Sequence, residues 1–146
     1  GATAGGLMGL DFLAMPGTEL VRNAIERIRS ARDQQAEALL TIYCTDTDGA
    51  LSGAVNLIHV LQADPEATLA EIADRDPVHA SPEDDVVDVT TRMADFNLMV
   101  LPVIDHQGHL LGVVTVDDAL EAAIPDDWRR REPQTHSTET APITTV

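Results

Sequence analysis

The run Leu110-Leu111-Gly112-Val113-Val114-Thr115-Val116-Asp117-Asp118 constrains this chain most, because a weakened copy of it stands 59 residues earlier. That copy reads Leu51-Ser52-Gly53-Ala54-Val55-Asn56-Leu57-Ile58-His59. Each follows an Asp-x-x-Gly turn, Asp46 to Gly49 in the first and Asp105 to Gly108 in the second. The turn is flanked by strand-like residues and followed by a helix-like stretch, so one small supersecondary unit occurs twice. The copies differ in chemistry: one carries Thr115 and Asp118 where the other carries Asn56 and His59.

At 146 residues the chain suits one compact domain, or two small repeats sharing a core. One Trp, one Tyr and two Phe leave an interior built from Val, Leu, Ile, Ala and Met. No apolar run reaches the roughly 20 residues that span a bilayer, and no signal peptide is visible. The lone Cys44, inside an apolar run, excludes an internal disulfide and suits a reducing compartment. It reads as a small buried hydrophobe rather than a nucleophile. Nine basic residues, all Arg, face 25 acidic ones for a formal charge of −16. That field repels a phosphodiester backbone, which argues against nucleic acid, and attracts divalent cations or basic partner surfaces. Acidity also serves solubility alone. No nucleophile–base pair, metal-hydrolase motif or Walker loop is present, so catalysis is not expected.

Residues 1–10 form a small-residue leading segment. The first repeat, 11–63, predicts a strand from Asp11 to Met15 and a helix from Thr18 with Val21, Ile25 and Ile28 at helical spacing. A buried strand Leu39 to Cys44, a strand Leu51 to Val55 and a short helix from Asn56 to Ala63 follow. The connector, 64–76, carries Thr68 and Glu71 at capping-box spacing. In the second repeat, 77–124, Val78 to Ala80 reads as a short strand. Ser81-Pro82-Glu83-Asp84 reads as a helix start, with Ser81 as N-cap and Pro82 in the first helical position. Val86, Val89, Met93 and Phe96 make a core-facing stripe. Leu98 to Ile104 is a strand that Pro102 assigns to an edge or bend. Leu110 to Val114 is its partner, and Val116 to Ile124 is the closing helix. From 125 to 146 the pattern dissolves into a charged turn, Asp126 to Glu132, and a Thr-, Pro- and Ser-rich tail expected to be disordered. Each unit is β-α-β-β-α, and the first is about seven residues longer between its first helix and second strand. Neither buries both faces of so small a sheet alone, so an α/β fold of two repeats packed as an intramolecular pair is expected.

Tandem β-α-β-β-α units with Gly112-x-x-Thr115-x-x-Asp118 before the last helix resemble a cystathionine-β-synthase (CBS) domain pair, or Bateman module. Within that family the chain is similar to the cytosolic CBS module of MgtE-type magnesium transporters. The likeness rests on Ala4-Gly5-Gly6-Leu7-Met8, Ala63-Asp64-Pro65 with Leu69 and Glu71-Ile72, Met93-Ala94-Asp95-Phe96, Val100-Leu101-Pro102-Val103-Ile104-Asp105 and Gly112 to Asp118. It covers residues 4 to 124. It implies a cytoplasmic regulatory module that dimerises through its CBS helices. An upstream MgtE-type N-terminal domain or a membrane transport domain would be its partner. Two other readings stay open: an adenine-nucleotide energy sensor in a soluble protein, and a ligand-free dimerisation scaffold. The Gly1-Ala2-Thr3 start suggests a preceding region, and Arg129-Arg130-Arg131 departs from the family's acidic connecting helix.

The resemblance also implies ligands, Mg²⁺ and either AMP or Mg-complexed ATP. Its nucleotide site would draw on Val78, His79, Ala80, Pro102, Gly112, Thr115 and Asp118, with Thr115 on phosphate and Asp118 on the ribose hydroxyls. Because His59 replaces that carboxylate in the first copy, the second cleft is the expected nucleotide site. Thr-x-x-Asp at a helix start is equally a capping pair. For Mg²⁺, which prefers oxygen and needs only one or two carboxylates, the candidates are Asp84, Asp88, Asp95, Asp118 and Glu121. Asp84 and Asp88, four apart, are expected on one helix face. His106 and His109 bracket a turn and read as solvated loop.

Overall fold

The computed structural model describes residues 2–125, so the charged turn and tail expected after Pro125 lie outside the described residues. The chain opens with α1 (Ala4–Leu7), which Thr3 caps by accepting the Gly6 N–H at 3.3 Å. The first repeat then runs β1 (Leu13–Pro16), α2 (Val21–Ser30), a 3₁₀ turn (Ala36–Leu39), β2 (Thr41–Thr45), β3 (Leu51–Asn56) and α3 (Leu57–Gln62). After α4 (Leu69–Ile72) come α5 (Val86–Asp95), β4 (Val100–Ile104), β5 (Leu110–Thr115) and α6 (Val116–Ala123). The caps are local chemistry. Asn56 accepts the His59 N–H at 2.8 Å, and Thr68 and Glu71 form the expected capping box.

The two repeats share a register. β2 pairs antiparallel with β3 and β4 with β5, Cys44 opposite Gly53 and Val103 opposite Gly112, each with a bulge one residue on. The Asp-x-x-Gly turns match too. Asp46 accepts the Asp48 and Ala50 N–H groups, Asp105 those of Gln107 and His109, and Gly49 and Gly108 take φ of 87° and 86°. Those values suit glycine alone at low cost. The turns meet each other: Leu51 N–H donates to Gly108 at 2.8 Å, and Ala50 bridges His109. Between the sheets Tyr43, Val100 and Val113 are buried together, with Phe12, Ala14, Leu51, Ala54 and Leu110 around them. The fold is therefore the expected α/β pair of repeats.

Four local expectations give way to tertiary demands. First, Val78 to Ala80 is not a strand but a single parallel bridge. Ala80 donates to Pro102 and accepts from Ile104, each at 2.9 Å. Extending that ladder back to Val78 needs an N–H at residue 102, which proline lacks. In the first repeat Tyr43 stands there, and β1 pairs with β2 over four residues. Second, Ser81 is not an N-cap. The Asp84 carboxylate accepts its N–H at 2.9 Å, and the helix starts only at Val86, capped by Asp85. The carbonyls of Pro82 and Asp84 are taken by Gly5 and Ala4 of the leading segment, each at 2.8 Å. Third, Phe96 is 58% exposed, because α5 ends at Asp95 and Asn97 turns the chain at φ 53°. Fourth, the 3₁₀ turn absorbs Leu39, so β2 begins at Thr41.

The closing segments cross over. α1 precedes the first repeat yet packs on the second: Ala4 is buried in its core, and Gly9 exchanges bonds of 2.8 and 3.0 Å with Val113. α4 precedes the second repeat yet buries Leu69 in the first, while Asp74 and Ala54 exchange bonds of 3.0 and 2.9 Å. Glycine allows both crossings. A Cβ on Gly112 would stand 2.7 Å from the Gly9 carbonyl, and one on Gly53 2.9 Å from the Ala73 Cβ. Gly112→Ala should therefore lower the unfolding free energy by about 2–3 kcal/mol. Gly9→Ala, whose Cβ meets nothing within 4 Å, should be near neutral; urea denaturation of both variants checks the contrast.

Candidate functional site

Two inter-repeat clefts stand at pseudo-equivalent positions and are unequal. One encloses about 430 Å³ between Thr41, Tyr43, Ala54, Asn56 and His59 of the first repeat and Val78, Leu98, Val100 and Pro102 of the second. Ile72, Ala73, Asp74 and Pro77 complete its wall. The other, at Thr115 and Asp118, has about 110 Å³ left, bounded by Gly9, Asp11, Gln35, Ala38 and Val113. A further hollow of about 430 Å³, walled by Leu40, Leu57 and Ile58 against Phe96 and Met99, adjoins the larger cleft at Thr41, Asn56, Leu98 and Val100.

Local sequence accounts for the difference. The longer stretch after α2 folds into the 3₁₀ turn, which brings Gln35 and Ala38 against the Thr115–Asp118 side and buries Ala38 to 1% exposure. Phe12 and Tyr43 pack edge to face, with ring centroids 6.3 Å apart, in the core between the sheets. At the position equivalent to Phe12 the other cleft has Pro77, and its second repeat has no matching insertion.

The open cleft is apolar with a few polar groups. Ile72, Val78, Leu98, Val100 and Pro102 offer aliphatic surface, and Thr41 and Tyr43 belong to its first-repeat wall. Tyr43 is wholly buried, and its hydroxyl interacts with the Thr41 side chain without meeting ideal hydrogen-bond geometry. Burial pushes the Tyr43 phenol far up, so it stays a neutral donor.

The structure divides the expected nucleotide set. Val78 and Pro102 line the open cleft, whereas Thr115 and Asp118 line the small one, so these residues do not meet in a single site. Ala80 is core, bridged to Val103. Gly112 is sterically required by the Gly9 crossing. His79 is exposed: its Nδ1 lies 3.1 Å from the Pro77 carbonyl, and its own carbonyl accepts from Arg92. Thr115 caps α6 by accepting the Asp118 N–H at 3.3 Å. Sequence reasoning missed Thr41, Tyr43, Asn56, His59 and Asp74 as cleft residues. The longer α2–β2 connection was the signal that could have found them.

The acidic candidates are also scattered. Asp84 precedes α5 and so does not share a helix face with Asp88. Its carboxylate accepts from Ser81 and from Arg92, the latter at 3.0 Å. The Ser81 N–H, then Arg92, hold its pKa below the usual carboxylate range. Asp88 and Asp95 stand exposed on the first and last turns of α5. Asp118 and Glu121 share a surface hollow of about 320 Å³ with Gly6 and Leu7. Among the described residues no three His, Cys, Asp or Glu side chains converge as a metal cage. Cys44 is 1% exposed and burial pushes its thiol up, as an inert core residue requires.

Duplicated sheets, crossed closing segments and paired clefts define a CBS domain pair, and the CBS domain family matches residues 69–124 directly. More narrowly, the chain resembles the cytosolic CBS module of MgtE-type magnesium transporters. It is 37% identical to the magnesium transporter MgtE of Thermus thermophilus over 118 residues, 81% of this chain and 26% of that one. With the Enterococcus faecalis MgtE it shares 30% identity over 82% of this chain and 26% of that one. It thus spans about a quarter of these curated relatives. Among solved structures, the cytosolic domain of the Mg²⁺ channel MgtE in complex with ATP superposes with TM-score 0.78 at 37% identity, over 82% of this chain and 48% of that one. CBSX2 in complex with AMP, at TM-score 0.69 and 18% identity over 84% of this chain and 96% of that one, shares the fold alone. No helix among the described residues is long and apolar enough to cross a membrane.

The Asp84 geometry makes a pH prediction. A depressed folded pKa contributes stability above the ordinary value of 3.8, and that contribution disappears as pH falls through the folded value. Asp84→Asn should cost about 1 kcal/mol near neutral pH and almost nothing at about pH 2. Urea unfolding at the two pH values measures it.

Proposed function

We propose that this chain is the regulatory ligand-binding unit of a magnesium transport system, with an adenine nucleotide in the open cleft and Mg²⁺ at its acidic surface. The observation that carries the nucleotide reading is the 430 Å³ apolar cleft between the repeats, with Thr41, Asn56 and His59 among its polar lining residues. That volume accommodates a purine nucleoside monophosphate, and concave apolar sites with a few polar groups are where small ligands bind. The ATP complex of the 37% identical relative supports the ligand class.

Mg²⁺ fits this chain as a weakly held ion. Asp118 and Glu121 line one hollow, and a hydrated Mg²⁺ needs no more than two carboxylates from one chain. Further ligands would come from a partner surface. Ile58 and Leu61 on α3, Val87 on α5 and Leu120 on α6 are exposed apolar residues on helices through which two copies would pair. No catalytic step belongs to this reading. The module responds to solutes by binding them differently in two arrangements.

Two measurements test it. AMP or Mg-ATP at about 100 times Kd should stabilise the protein by about 2.7 kcal/mol, seen as a rise in Tm. Val78→Trp should abolish that rise by filling the open cleft, while Asp118→Ala leaves it intact; the opposite pattern would return the site to the small cleft. For the cation, sedimentation with and without millimolar Mg²⁺ should show a shift toward dimer that Asp118→Asn with Glu121→Gln removes. An unmoved Tm with every ligand favours the scaffold reading.

A further inference from the structure

The chain keeps its carboxylate at the cleft it has filled and a histidine at the cleft it has left open. Thr115 and Asp118 border the 110 Å³ remnant, and Asn56 and His59 border the 430 Å³ cavity at the equivalent positions. That exchange reverses the chemistry a ligand meets. The Asn56 Oδ1 is committed to the His59 N–H at 2.8 Å, so what Asn56 can offer a ligand is its amide N–H pair. His59 is exposed on the first turn of α3 and is the one residue lining the cavity that can carry positive charge. Its counterpart Asp118 is an acceptor only when ionised.

A vicinal diol is read by a carboxylate because two coplanar oxygens accept from both hydroxyls together. An imidazole turns one ring nitrogen toward a ligand and accepts at most one such bond, or none when protonated. Neutral or charged, it donates well to a phosphate oxygen, and charge-assisted bonds of this kind are about twice as strong as neutral ones. The surrounding charge of −16 opposes an anion, so a donor at the opening decides whether a phosphate is tolerated there. Asp74 is the one acidic side chain in the cavity wall, and one of its oxygens already accepts the Asp76 N–H at 3.0 Å. On the same first-repeat wall, the Thr41 hydroxyl and the Asn56 amide N–H pair supply donors for a ring nitrogen.

We propose that the open cleft takes an adenine nucleotide by its base and its phosphate and leaves the sugar hydroxyls unread, with His59 as the residue that sets this preference. The inference rests on the reading of that cleft as a nucleotide site and adds what part of the nucleotide it distinguishes.

Isothermal titration of the chain with AMP, 2′-deoxy-AMP and adenosine, at about 0.15 M salt to screen the overall field, tests it. AMP and 2′-deoxy-AMP should agree within about twofold, and adenosine should bind about tenfold more weakly. In His59→Asp the order should invert: AMP gains about tenfold over 2′-deoxy-AMP and loses its advantage over adenosine. An Asp in the first turn of a helix is favourable, so this variant should fold. His59→Asn, the second variant, should lose the gap between AMP and adenosine without opening one between the two sugars. A tenfold preference of the unaltered chain for AMP over 2′-deoxy-AMP overturns the proposal, as does an unchanged order in His59→Asp. If adenosine binds as well as AMP, the cleft remains a nucleoside site and His59 loses its role. If none of the three binds, both readings fall.

Discussion

Where Gly9 crosses Val113 and Asp74 crosses Ala54, two backbones come close enough to exchange paired hydrogen bonds, and a glycine beneath each crossing makes the room. These contacts hold the rest together. A four-residue helix has too few internal bonds to persist alone, and α1 and α4 exist because each is fastened to a sheet at its far end. Each repeat is therefore finished by residues from before the other, Ala4 in one core and Leu69 in the other. Neither half carries its own complete core. The paired turns at Gly49 and Gly108 then align the sheets and bury Tyr43, Val100 and Val113 between them.

Such symmetry would predict two equal clefts, and two departures break it. The stretch after α2 becomes a 3₁₀ turn that closes on one side, and a proline in place of Tyr43 shortens the parallel ladder on the other. Tyr43 belongs to both effects. Its ring packs on Phe12 in the shared core, and the same residue belongs to the first-repeat wall of the open cleft.

Charge works on two scales here. The overall acidity favours cations and basic partners, yet the described carboxylates are largely engaged in structure: Asp46 and Asp105 hold the turns, Asp85 caps α5 and Asp84 anchors Ser81 and Arg92. Their contribution is local geometry first. The hollows at Asp118 and Glu121 and at Glu19 and Glu26 each bring two acids to one surface.

The duplicated motif, the turn chemistry of Asp46 and Asp105, the caps at Asn56 and Thr68 and the aliphatic core were all legible in the residues, because each depends on neighbours a few positions away. Ser81 misled because its helix-start pattern is real, but α1 claims the carbonyls a helix would have used. Phe96 kept helical spacing after the helix had ended. Thr115 and Asp118 kept the signature of a ligand site where packing had removed the space, while Asn56 and His59 lost the signature where the space remained. The sequence by itself determined that two like units must pack together, since periodicity and turn residues act locally. Only the tertiary structure decided which cleft is open, because volume depends on how distant segments fill it.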